Sequence, residues 1–243
     1  MIAKNDKDLY TYQKGAISEI FKRFDTAAPD YHLLYQLPTG GGKTIIFSEI
    51  VRQYLKNHTS RVVVMTHRIE LCNQTSKVLT EFGVENKIIN SKASLEDEGN
   101  YSCFVAMVET LNNRLLDDKL DISNVGLVII DEAHYNSFTK LFKFFNTSFL
   151  LGVTATPLSS NINLPMNDNY DELIVGESIK ELIHNKFLAK ADLFTYNVGL
   201  TSLVVGANGD YTVKSSEDLY TCLLYTSDAA DDSLRVDLGG RRI

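Results

Sequence analysis

The chain has 243 residues, 44% of them hydrophobic, and a net charge of −7, enough material for a full core arranged as one domain or two. That acidic balance excludes a basic coat that would grip nucleic acid over its whole surface, so any such binding must come from a local patch or a partner domain. No apolar run approaches the length of about twenty residues needed to span a bilayer, and no signal-peptide core follows Met1, so the expectation is a cytoplasmic protein without a membrane partner. Cys72, Cys103 and Cys222 show neither metal-ligand spacing nor a disulfide framework, which suits a reducing compartment.

In chain order, residues 1–8 are polar. Leu9 to Phe24 carries an apolar stripe at Ala16, Ile17, Ile20, Phe21 and Phe24, the spacing of a helix, with Gln13 in its first turn. His32 to Leu37 is an apolar run of buried-strand length. It leads into LPTGGGKT, Leu37 to Thr44, after which Ile45, Ile46, Phe47, Ile50 and Val51 recur with helical spacing. Strand, glycine loop and helix together make a phosphate cradle. Gly40, Gly41 and Gly42 let backbone N–H groups turn inward with no Cβ in the way, and the helix N-terminus places partial positive charge beneath a phosphate. Thr39 to Thr44 then form the ATP-binding loop, with Lys43 reaching the β- and γ-phosphates and the Thr44 hydroxyl on Mg²⁺. The pattern departs from the common P-loop at one place: the glycine expected six residues before the lysine is Leu37.

Arg61 to Thr66 is a β-branched buried strand, followed by a helix to about Phe82. A short strand is expected over Val84 to Asn90, a polar loop over Ser91 to Asn100, a buried strand over Ser102 to Met107 and a helix over Val108 to Leu116. Next comes VGLVIIDEAH, Val125 to His134. Its Leu127 to Ile130 run is apolar on both faces, as in a central parallel strand, and it delivers two carboxylates to the strand's C-terminal end, where open α/β sheets bind ligands. Asp131 suits a Mg²⁺-holding role, and Glu132 suits the general base that orients and deprotonates an attacking water. An amphipathic helix is expected over Phe138 to Phe145 and a strand over Ser148 to Val153, ending in Thr154-Ala155-Thr156-Pro157. Residues 158–172 should be loop, Glu177 to His184 helix and Ala191 to Val198 strand.

Several of these stretches, in this order, resemble the motifs of superfamily 2 DEAD/DEAH-type helicases, in the branch related to type III restriction subunits and excision-repair helicases. The Tyr12-Gln13 pair resembles the adenine-reading Q element, although Tyr10-Thr11 stands where relatives often have Arg-Pro; read alone, Gln13 is a solvated helix residue. THRIELCNQ resembles motif Ia, in which Thr66 and Arg68 would meet nucleic-acid phosphates, and Glu109-Thr110-Leu111 resembles motif Ib, with Thr110 in the same role. DEAH is the family's motif II, in which His134 links nucleotide to nucleic acid. LGVTATP resembles motif III, in which the hydroxyls of Thr154 and Thr156 couple hydrolysis to movement of a paired domain.

The resemblance implies an α/β fold: a RecA-like P-loop domain over residues 1–198, with a mostly parallel sheet and helices on both faces. It implies ATP and Mg²⁺ as cofactors, Lys43 and Glu132 as catalytic residues, and nucleic acid as the partner, DNA rather than RNA. A second RecA-like domain, carrying an arginine finger, is expected beyond a linker at 199–221. A P-loop phosphotransferase and a non-motor nucleic-acid-binding or annealing module that uses ATP as a ligand are the alternatives, with a restriction-endonuclease motor subunit as a variant of the motor. From Cys222 the chain runs CLLYTSDAADDSLRVDLGGRRI, which resembles the conceptual translation of a transposase-based sequencing adapter. Residues 222–243 are therefore set apart from the fold, and the natural gene is expected to continue past Thr221.

Overall fold

In the computed structural model of the chain, the alternation of buried strand and amphipathic helix closes into one seven-stranded sheet with parallel ladders throughout. The structure describes residues 9–28, 30–90, 101–117, 122–159, 163–190, 202–205, 211–219 and 221. The chain divides into two compact units, Met1–Lys190 and Ala191–Ile243.

In the first unit the elements are α1 (Thr11–Thr26), β1 (His32–Gln36), α2 (Lys43–Asn57), β2 (Arg61–Thr66), α3 (Ile69–Glu81), β3 (Lys87–Ile89), β4 (Cys103–Met107), α4 (Val108–Leu116), β5 (Val125–Asp131), β6 (Phe149–Thr154), β7 (Glu172–Val175) and α5 (Ile179–His184). The strand order is β3-β4-β2-β5-β6-β1-β7. After β1 the chain therefore crosses from one half of the sheet to the other. This lines up the C-terminal ends of β1, β6, β5 and β2 along one edge, the place where open parallel sheets take ligands.

Both faces of the sheet are buried, as the uninterrupted apolar strands require. In β2, Val62 and Val64 point to a core shared with Ile17 and Ile20 of α1, Ile46, Phe47 and Ile50 of α2, and Leu79 of α3. Val63 and Met65 point to the opposite core, under Val108 and Leu111 of α4 and Phe138 and Leu141. This period-two division fixes the register, because a one-residue slip would exchange the two faces. The side chains of Leu33 and Ile129 are fully buried, so truncation of either to Ala is expected to cost about 2–5 kcal/mol.

The structure departs from expectation in three places. The amphipathic helix expected over Phe138 to Phe145 is a 3-10 helix, Asn136–Phe144. Its buried residues Phe138 and Leu141 are three apart, which suits a helix of three residues per turn, although nine residues is long for that form. The loop expected through residue 172 contains a 3-10 turn, Met166–Asp168, and ends in the edge strand β7. Four residues with exposed Leu173 and Val175 leave too short and too weak an apolar alternation to announce a strand. Within the second unit, the span expected as linker holds an antiparallel bridge, Val205 to Tyr211, and a helical stretch at 213–219. The loop expected over Ser91 to Asn100, the strand expected over Ala191 to Val198 and the adapter-like residues 222–243 lie outside the described residues.

Candidate functional site

The loop between β1 and α2 is built on its glycines. Gly40 and Gly42 both sit at φ 82°, in the left-handed region where a side chain would be strained. A Cβ on Gly41 would stand 2.8 Å from Cγ of Leu37. Leu37 itself is fully buried in the core, and its N–H donates to the Thr154 carbonyl (3.0 Å). The position that departs from the common P-loop pattern is thus the floor of the loop, and an apolar side chain belongs there.

Gly42 caps α2 without a side chain, so the first-turn N–H groups of a 15-residue helix have no intrahelical acceptor and face the loop. Lys43 is nearly buried, and its Nζ donates to the Leu37 carbonyl (3.3 Å), holding the ammonium inside the loop. Thr44 follows on the first turn, half-buried, while Thr39 is exposed at the loop's lip.

Gln13 is not a solvated helix residue. It is 4% exposed, its Oε1 accepts from the Tyr10 N–H (3.0 Å), and its Nε2 lies 2.7 Å from where a Gly42 Cβ would be. The amide thus caps α1 and leans on the phosphate loop together. Two residues that the sequence reading left without a role complete this corner. The Tyr12 hydroxyl donates to the Gly41 carbonyl (2.8 Å), and the Phe187 ring packs on Tyr10 and Tyr12 at 4.7 and 4.9 Å between centroids. Tyr12 was visible as half of the Tyr-Gln pair. Phe187 follows α5, far along the chain, and carried no local signal.

Two strands away, β5 ends in Asp131, 6% exposed. Burial pushes its carboxyl up to about 6, and neighbouring Glu132 adds to the shift; Lys43 and the Glu132 N–H, which donates to Oδ1 at 3.1 Å, oppose it. The lysine of the glycine loop thus lowers, against burial, the pKa of the aspartate that ends β5. A buried carboxylate of this kind is stabilised by a cation. Among the described residues no group of three or more His, Cys, Asp or Glu side chains could form a closed metal cage. One carboxylate and one hydroxyl instead fit Mg²⁺ held largely by phosphate and water.

Glu132 sits at φ 53°, an uncommon conformation for a residue with a side chain. The turn is held by the Ala133 N–H on the Val153 carbonyl (3.0 Å) and the Tyr135 N–H on the Glu132 carbonyl (3.2 Å). The His134 Nδ1 lies 3.0 Å from the Thr154 hydroxyl and 3.4 Å from Oε2 of Glu132. Fully buried Thr154 also donates to the Thr156 carbonyl and accepts from the Thr156 N–H (3.0 and 3.1 Å). One hydroxyl thus joins His134 to the exposed Thr156 turn.

The residues expected to meet nucleic acid divide. Arg68 is exposed at the start of α3, and Thr110 is half-buried in the first turn of α4, which follows the strand next to β2. Thr66 is a correction. Its side chain is fully buried, its hydroxyl donates to the Arg68 carbonyl (3.1 Å) and lies 2.8 Å from Cys72 Sγ, so it shapes the loop from beneath and does not face a phosphate.

Residues 6–159 match the family described as "Type III restriction enzyme, res subunit". The putative ATP-dependent helicase IRC3 of Saccharomyces cerevisiae is 30% identical over 64% of this chain and 24% of that protein. The ATP-dependent DNA helicase MPH1 of Kluyveromyces lactis is 27% identical over 68% of this chain and 16% of that protein. A solved nuclease-deletion mutant of the type ISP restriction-modification enzyme LlaGI, in complex with a DNA substrate mimic, shares the fold at TM-score 0.61 and 17% identity, covering 74% of this chain and 21% of that one. This chain thus spans a quarter or less of the length of each of these proteins. No helix among the described residues is long and apolar enough to cross a membrane. With its parallel sheet and its motif order, the chain belongs to the type III restriction enzyme res-subunit family and has the RecA-like fold of superfamily 2 helicase domains.

Proposed function

We propose that this domain is the ATP-binding half of a nucleic-acid-dependent ATPase that hydrolyses ATP with Mg²⁺ to move on or unwind DNA. The observation that carries the reading is convergence. Gln13 against Gly42, Lys43 inside the loop, and Asp131 within Lys43's field gather along one C-terminal edge of the sheet, although 118 residues separate the first from the last (131 minus 13). Gln13 reads the adenine edge, Lys43 and the α2 N-terminus hold the phosphates, and Thr44 and Asp131 hold Mg²⁺. Bound there, Mg²⁺ would supply charge neutralisation for the phosphoryl group in transfer. Glu132 orients and deprotonates the attacking water, and the His134–Thr154–Thr156 chain passes the change toward the nucleic-acid side. Arg68 and Thr110 supply phosphate contacts that position a strand without reading its sequence.

DNA is favoured over RNA because MPH1 is described as a DNA helicase. The family description favours a second reading, a motor subunit of a restriction endonuclease, in which the same site drives translocation. On either reading a further RecA-like domain supplies the arginine finger, and residues 1–221 alone turn ATP over poorly. The test is steady-state ATPase activity with single-stranded DNA, duplex DNA or RNA, on this chain and on the gene extended past Thr221. DNA-stimulated turnover in the extended protein supports the motor. ATP binding without stimulation by any polymer would move the assignment to a binding module.

A further inference from the structure

The strands β2 and β5 are parallel neighbours, with Met65 opposite Ile130. The residues just beyond their ends are therefore brought together, and two of them meet as rings. His67 stacks on Tyr135 at 4.2 Å between centroids and 30° between planes, and Tyr135 lies 4.4 Å from His134. Nδ1 of His67 is buried without a hydrogen-bond partner, so the stack rather than a bond from that atom fixes this ring. We infer that His67 and Tyr135 are positioning residues that carry the state of the β2–α3 loop to Glu132.

The contact is built to transmit in both directions. On one side, Thr66 ties the loop to α3 through the Arg68 carbonyl and Cys72, so a pull on Arg68 moves His67 with it. On the other side, the Tyr135 N–H holds the Glu132 carbonyl, and Glu132 occupies a left-handed conformation that residues with a side chain seldom adopt. A displaced Tyr135 ring therefore acts directly on the turn that holds Glu132. Burial lowers the His67 pKa, with Arg68 and His134 adding to the shift and Glu132 opposing it, so the ring already lies in the field of both sites. This inference rests on the proposal that Arg68 faces nucleic acid and Glu132 acts on ATP.

The experiment is NMR on the whole chain during titration with a (dT)20 oligonucleotide. The Arg68 amide reports binding and the His134 ring Cε1–H reports transmission. In the unaltered chain both should move with one midpoint. In His67→Ala the Arg68 amide should move with a midpoint within about two-fold, while the His134 shift falls below roughly a third of its original size. His67→Phe, which keeps an aromatic ring to stack on Tyr135 while losing both imidazole nitrogens, should restore it. Tyr135→Leu is the second variant and should behave like His67→Ala, with Tyr135→Phe retaining transmission. An undiminished His134 shift in both His67→Ala and Tyr135→Leu would overturn the relay. No Arg68 shift in the unaltered chain would instead overturn the nucleic-acid reading, and the relay with it.

Discussion

The proposed nucleotide side and the proposed nucleic-acid side of this sheet edge are built in opposite ways. Gln13, Lys43, Asp131 and Thr154 are buried polar groups, each held by named partners. Arg68 and Thr156 are exposed. Buried polar groups are costly unless satisfied, so the nucleotide side is assembled in advance and its members depend on one another. Exposed groups already have water, and they contribute only when a polyanion replaces it. Substitutions should therefore be severe and interdependent on the first side, mild and additive on the second.

The largest effect should come from Lys43→Ala, which removes the one cation among the described residues that acts on Asp131. It should abolish detectable binding of Mg·ATP, a loss of at least about 100-fold, measured by calorimetry. Next, Glu132→Gln should lower turnover by roughly 10²–10⁴-fold while leaving ATP affinity within a few-fold, because the general base acts only in the chemical step. Binding and single-turnover measurements separate the two quantities.

Asp131 gives a prediction of unusual sign. Its carboxyl is raised from 3.8 to about 6 when folded, so the folded state binds the proton more tightly than the unfolded one. The resulting stabilisation is fully present below about pH 4 and is lost as pH rises through about 6. The metal-free chain should thus gain stability on acidification from pH 7.5 to 5, by roughly 1.4 kcal/mol from this group. Asp131→Asn should raise the metal-free thermal midpoint at pH 7.5 by roughly 5 °C while removing the response to Mg²⁺. A midpoint lowered by that substitution would show that the charge is paid for by contacts other than the cation. The smallest effect should be that of Arg68→Ala. It should weaken DNA binding by only a few-fold, equally for unrelated sequences, and reduce the salt slope by about one unit.

What the sequence disclosed follows the same division. The placement of the glycine loop and of Asp131-Glu132 was legible because each follows a buried apolar strand at fixed short spacing, and the structure sets both at such strand ends. Leu37 looked like a departure only because the pattern does not say what the loop rests on. Thr66 was misread because a Thr at a strand end is equally able to face solvent or cap the following turn from within, and only the packing of Cys72 decides. Phe187 against Tyr12 and His67 against Tyr135 could not be read at all, since they join elements 175 and 68 positions apart (187 minus 12, 135 minus 67) through sheet order rather than periodicity. The edge strand β7 and the 3-10 helix were missed for a related reason. Short elements take their form from neighbours more than from their own pattern.

The most direct test of the central claim, that a nucleotide site is already assembled within this one domain, is calorimetric titration of the chain with a slowly hydrolysed ATP analogue and Mg²⁺, beside Lys43→Ala. The account predicts saturable binding at one site per chain that the substitution removes. Binding unchanged by Lys43→Ala, or no binding by the unaltered chain, would contradict it.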